Sequence, residues 1–137
     1  MRKCAVGVYN ICMDKKTLTL ELNRRTARVW GELCELRPRL VRFDQPRIIL
    51  DARFWRTAGQ CHQHENIVRM GVNFFQFPQF RATMRAVILP HELIHQADFN
   101  LYGESEKICG HGVQWQKLMV EYGLPANKYH SMLIARK

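Results

Sequence analysis

His91-Glu92-Leu93-Ile94-His95 constrains this chain more than any other stretch. Two histidines four positions apart point the same way on a helix, where residues i and i+4 lie one above the other. There both imidazoles reach one zinc ion, and Glu92 projects beside them, placed to take a proton from an attacking water. Val87, Ile88, Leu89, Leu93 and Ile94 surround the motif, so this helix lies against the core, where bare histidines would be costly. Two protein ligands do not make a catalytic zinc site; three plus water do. The fold must therefore bring a further ligand to this helix.

Glu104, Glu106, Cys109, His111 and His130 are the downstream candidates for that ligand. His111 stands out because Gly110 and Gly112 flank it, letting the backbone turn sharply into the next helix. Three histidines leave open the position that hydrolysis requires, so Cys109 reads as a buried structural thiol. His130 is a candidate transition-state donor or a hydrogen-bonding partner behind the ligands, with Tyr102 and Tyr129 weaker candidates for that role. Cys61, His62 and His64 lie close in sequence, but no fourth partner is evident and a turn without metal is expected.

Around the motif the hydrophobic period changes twice. Leu18, Leu22, Val29, Leu33 and Leu36 recur at helical spacing, with Arg24, Arg25, Arg28, Glu32 and Glu35 on the other sides, which predicts a helix over 17–36 closed by Pro38. In 48–54, Ile48, Leu50, Ala52 and Phe54 share a face opposite Asp51 and Arg53. In 67–74, Val68, Met70, Val72 and Phe74 share a face opposite Arg69, Gly71 and Asn73. Such alternation marks antiparallel strands with one wet face, and Thr57 to Cys61 supplies a turn and a short middle strand. A three-stranded antiparallel meander is expected, with Phe74, Phe75 and Phe77 packing in the core rather than stacking on bases. From Phe80 the helical period returns. Pro90 either kinks this helix or starts it afresh, Tyr102-Gly103 stops it, and 101–110 reads as a loop. A last helix over 113–122 turns Trp115, Leu118, Met119 and Tyr122 inward and ends at Gly123. The expected fold class is α+β, in one domain over 1–137.

No stretch approaches the roughly 20 apolar residues of a membrane span, and the apolar run from Cys4 to Met13 reads as part of the folded domain rather than a targeting signal. Five cysteines with no CxxC pair argue against a disulfide framework and for a reducing, cytoplasmic setting. Residues 1–90 hold 16 Lys/Arg against 7 Asp/Glu, whereas 91–137 hold 5 of each. Fourteen of the 21 basic residues are arginine, the side chain suited to gripping phosphate, so a DNA or RNA partner is expected before position 90. Arg24, Arg25, Arg28, Arg53, Arg56 and Arg69 are the candidate contacts.

Pro90 to His95, then Gly110-His111-Gly112-Val113-Gln114-Trp115, then Met119, resembles the SprT-like metalloprotease domain, a family that pairs HExxH with a later HGxxW segment opening the next helix. Arg56-Thr57-Ala58-Gly59-Gln60-Cys61 with Ile67 and Val72-Asn73 resembles its strand region. Gly123-Leu124-Pro125 through His130-Ser131 resembles its closing segment. The likeness runs over 47–132. It implies a zincin-like minimal core, one zinc per chain on His91, His95 and His111, and Glu92 as general base. It further implies a monomeric metalloendopeptidase for protein or peptide substrates bound or crosslinked to DNA, nuclear or nucleoid-associated where it acts there. Many members carry a cysteine-rich zinc ribbon after the core; no paired cysteines follow it here, so a minimal version is expected. Two other functions suit the same residues: a nucleic-acid-binding module whose zinc is structural, and a zinc hydrolase of a small amide. A peptide substrate would pair with a sheet edge, for which the strand Ile67 to Phe74 is the expected choice.

Overall fold

The computed structural model of the protein describes residues 14–103 and 112–126. Helix α1 runs Lys15–Leu36, two residues longer at its start than its apolar spacing predicts. Asp14 is the reason: its carboxylate accepts the Thr17 backbone N–H at 2.7 Å, satisfying a donor that the first turn leaves unpaired. Leu18, Leu22, Val29 and Leu33 are buried as expected, joined by Thr26 and Trp30. Each of the fully buried leucines contributes roughly 1.5–3 kcal/mol. The Trp30 indole donates to the Phe43 carbonyl at 3.3 Å, so the stripe tolerates a side chain with one polar end. Pro38 ends α1 and opens a 3₁₀ turn over Pro38–Arg42.

Strands β1 (Arg47–Asp51), β2 (Gly59–His62) and β3 (Ile67–Gly71) follow, but they do not form a meander. The order is β1-β3-β2, with β1 parallel to β3 and only β2 antiparallel to it. Alternation reports that one face is dry; it accompanies antiparallel pairing in most sheets but does not dictate strand direction in a small mixed one. The connections decide that. Residues 63–66 close a β2–β3 hairpin with Asn66 in the left-handed conformation (φ 57°). The seven residues 52–58 instead carry the chain from β1 past the place of β3 to the far edge. Asn73 pins that passage, donating to the carbonyls of Ala52 (2.9 Å) and Phe54 (2.8 Å). Both predicted strands are also shorter than their alternation: β1 stops at Asp51, and after Gly71 the chain makes a 3₁₀ turn over Val72–Gln76. Phe74 is fully buried and Phe75 nearly so, in keeping with core packing, though from that turn and not from a strand.

Helix α2 (Pro78–Thr83) continues through a π-helical turn, Met84–Ile88, into α3 (Leu89–Tyr102). The backbone stays right-handed helical at Thr83, Met84, Ile88 and Leu89, so Pro90 neither breaks nor restarts the helix. Proline has no N–H to give and its ring crowds the carbonyl four residues back. The Leu89 N–H reaches the Met84 carbonyl, five residues back, and that one wide turn makes the room. Glu21 of α1 ties this turn down, bonding Arg85 through both oxygens and Arg25 at 3.0 Å. Gly103 (φ 78°) and Gly123 (φ 105°) end α3 and α4 (Val113–Tyr122), in the conformation glycine adopts without cost. Helix α3 packs on α1, α4 and β2. Leu22, Leu33, Met70, Phe74, Leu93, Trp115 and Leu118 belong to a continuous buried cluster. Among the described residues no helix is long and apolar enough to cross a membrane.

Candidate active site

One turn of α3 carries His91 and His95 on a common face, with ring centroids 4.9 Å apart. Their setting is made by α4. Trp115, wholly buried, lies edge-on to His91 at 5.2 Å and stacks on His95 at 5.0 Å with planes only 15° apart. The indole thereby restricts both imidazoles. Gly112 opens α4 three residues earlier, so the start of that helix stands against the histidine pair. His111, His130, Cys109, Glu104, Glu106 and Tyr129 lie outside the described residues. Tyr102 does not reach the pair. It is seven residues beyond His95, roughly 10 Å along the helix, exposed, with the Arg39 guanidinium 6.0 Å from its ring centre.

Glu92 turns to the other neighbour of α3, the edge strand β2. It is 8% exposed, and burial raises its carboxyl to about 8. Among the described residues it has no hydrogen-bond donor. Cys61 of β2 feels its charge: burial first, then Glu92, push the thiol far above its ordinary value, so it stays protonated and donates to the Gln96 Oε1 at 3.3 Å. That excludes Cys61 as a thiolate at neutral pH. His62 pairs with Gln60 at 3.1 Å and His64 lies edge-on to Phe99. Among the described residues no three His, Cys, Asp or Glu side chains form a metal-binding group; Cys61 and His62 lie in β2 and His64 in the 3₁₀ turn Gln63–Glu65, not in one turn over 61–64.

The six candidate arginines divide. Arg24, Arg28 and Arg56 are exposed. Arg25 is committed to Glu21. Arg53 forks onto Asp51 at 2.8 and 3.0 Å, and Arg69 reaches the same carboxylate at 3.4 Å. Asp51 was expected on the wet face with Arg53 but is buried, held well below the usual carboxylate range by the Arg53 bonds. Arg53 itself remains 79% exposed. Two contributors escaped the sequence reading as parts of a site, and a third, Trp115, reads there as core and as part of the HGxxW segment, without its contact to the two imidazoles. Gly59 and Gln96 carry no chemistry until β2 and α3 are placed side by side.

Asp98, one turn beyond His95, is 6% exposed, and loss of solvent raises its carboxyl to about 6. A carboxyl raised on folding contributes fully only below its unfolded value near 4, and that contribution is lost as pH rises through 6. With metal removed, Asp98→Asn should therefore gain stability over the parent at pH 8, on the order of 1 kcal/mol. Near pH 4 the gain should vanish. Thermal unfolding at the two pH values checks this; an equal difference at both would mean the carboxyl is not destabilised by burial.

A family model described as the SprT-like family matches residues 39–130. The chain is 31% identical over 96 residues to Protein SprT of Pseudomonas entomophila (strain L48), covering 69% of this chain and 56% of that protein. It is 31% identical over 97 residues to Protein SprT of Pseudomonas putida (strain F1), covering 70% and 56%. The same identity holds over 96 residues with Protein SprT of Pseudomonas syringae pv. tomato (strain DC3000), at 69% and 56%. The matched region thus spans little more than half the length of these curated relatives. No solved structure matches the chain. With the matched segment running from the turn after α1 to beyond α4, and so taking in the histidine pair, Glu92 and Trp115, the chain belongs to the SprT-like family.

Proposed function

We propose that this chain is a zinc-dependent metalloendopeptidase acting on proteins bound or crosslinked to DNA. The observation that carries the reading is the division of roles on α3. His91 and His95 present paired rings against Trp115, while Glu92, buried and with no donor among the described residues, faces the edge strand β2. A zinc that only holds a fold together has no use for that carboxylate. The pair of adjacent imidazoles suits two ligands of one zinc, with His111, next to Gly112 at the start of α4, as the third. Zinc held there would supply a Lewis acid for the scissile carbonyl and lower the pKa of the attacking water. With that cation in place the Glu92 carboxyl, about 8 without it, would be drawn down and ionise, so that it accepts a proton from that water and hands it to the leaving amine. His130 remains the candidate donor to the developing charge.

An extended substrate needs a strand with an unpaired edge. The expected strand, Ile67 to Phe74, cannot serve: β3 is central, with β1 and β2 on its two sides. The edge beside Glu92 is that of β2, and the substrate backbone is placed there. Zinc content of His111→Ala tests the ligand set, with metal lost or sharply weakened and thermal stability lowered because binding energy is folding energy. Full zinc occupancy in that variant would move the third ligand to Cys109 or Glu104.

For DNA, the supporting observation is the exposed arginines. Arg24 and Arg28 of α1 and Arg56 after β1 are the proposed phosphate contacts, whereas Arg25, Arg53 and Arg69 serve ion pairs. Three phosphate contacts predict a salt slope of about −2.7, or roughly 40-fold weaker binding between 50 and 200 mM salt. Replacing Arg24, Arg28 and Arg56 by alanine should flatten that slope. A salt-independent affinity, or none at low salt, would leave the charge as a solubility feature.

A further inference from the structure

Gly59 is where the edge strand meets the stem of Glu92. A Cβ at this position would stand 3.1 Å from the Glu92 Cγ and 3.0 Å from the Ile88 Cγ2, closer than side chains ordinarily pack, and 3.4 Å from the Glu92 Oε2, at ordinary contact. The Gly59 backbone is not in the left-handed region, so its conformation makes no demand for glycine. What lies opposite does. Two residues along, the Cys61 thiol donates to Gln96, whose amide in turn donates to the Gln63 carbonyl at 3.0 Å and the Asn100 Oδ1 at 2.9 Å. A strand advances about 6.6 Å over two residues and a helix about 6 Å over four. Positions 59 and 61 therefore fall in step with 92 and 96.

We propose that Gly59 is a positioning residue for Glu92. The bare backbone of β2 is the wall that sets where the carboxylate stands, and Gln96 fixes the register of that wall. The inference rests on Glu92 acting as proton acceptor. It also joins two parts of the site, since the strand that pairs with substrate is the one that holds the base.

The test is Gly59→Ala in the full chain, followed by the carboxyl ¹³C resonance of Glu92, assigned by its loss in Glu92→Gln, and by steady-state kinetics. That resonance is expected to move in both metal-free and zinc-loaded protein. Zinc content should match the parent and KM stay within about twofold, while kcat falls about tenfold through misplacement by a fraction of an ångström. Glu92→Ala removes the Cγ that the new methyl group would meet, so Gly59→Ala should lower Tm less in a Glu92→Ala background than in the parent. Should Gly59→Ala alone fail to fold, recovery of the fold by Glu92→Ala supports the contact, and failure to recover with Glu92→Ala and Ile88→Ala both in place overturns it. An unmoved resonance, or an unchanged kcat, also overturns the proposal. A parent protein with no zinc-dependent cleavage would remove the peptidase reading instead, while the resonance still reports whether Gly59 places the carboxylate.

Discussion

Glu92→Gln is expected to keep its zinc, its fold and its DNA affinity while losing about 10²- to 10⁴-fold in cleavage rate. The amide is nearly the size of the carboxylate and fits the same space between α3 and Gly59. It accepts no proton at neutral pH. Removing a buried group whose carboxyl is raised by burial leaves no uncompensated charge behind, so the variant should be at least as stable as the parent. Elemental analysis, thermal unfolding and digestion of a basic DNA-binding protein give the three readings. Equal cleavage by parent and variant, both silenced by a chelator, would show that Glu92 is not the base.

Trp115→Ala is expected to cost about 3–5 kcal/mol, as large-to-small changes at filled core positions do. Trp115 is fully buried and touches α3 at the two histidines. For a chain of 137 residues that loss corresponds to more than roughly 10 °C in Tm. The second effect separates this position from the rest of the core. Without the indole the two imidazoles lose the surface that orders them, and zinc affinity should fall about 10- to 100-fold, as it does when groups that orient ligands are removed. Leu118→Ala, one turn along α4 and also fully buried, should lower Tm with a smaller change in zinc affinity. Equal zinc titrations for Trp115→Ala and the parent would mean the ring contacts are packing alone.

Helices were legible in the sequence because a buried stripe repeats at a period that a strand cannot imitate. Leu18, Leu22, Val29 and Leu33 mark α1, and Trp115, Leu118 and Met119 mark α4. The histidine pair was legible for the same reason, since four-residue spacing on a helix has one geometric outcome. Sheet order was not. Ile48, Leu50, Val68 and Met70 alternate alike whether β1 and β3 run parallel or antiparallel, and the choice rests on how a seven-residue passage crosses and on Asn73 holding it. The substrate edge was misplaced in consequence, on β3 instead of β2. Asp51 misled because an alternating pattern assigns every charged residue to the wet face, whereas Arg53 and Arg69 fold over this one and bury it. The Gly59 contact belongs to a further class: it exists only between elements, and no pattern within either one announces it.

The most direct measurement is cleavage of a basic DNA-binding protein by the full chain, zinc-loaded and chelated, with and without DNA, alongside Glu92→Gln at matched zinc content. Fragments that require zinc and the Glu92 carboxylate are the expected result. No cleavage by the zinc-loaded parent with DNA present would contradict the peptidase reading and leave a nucleic-acid-binding module whose zinc is structural.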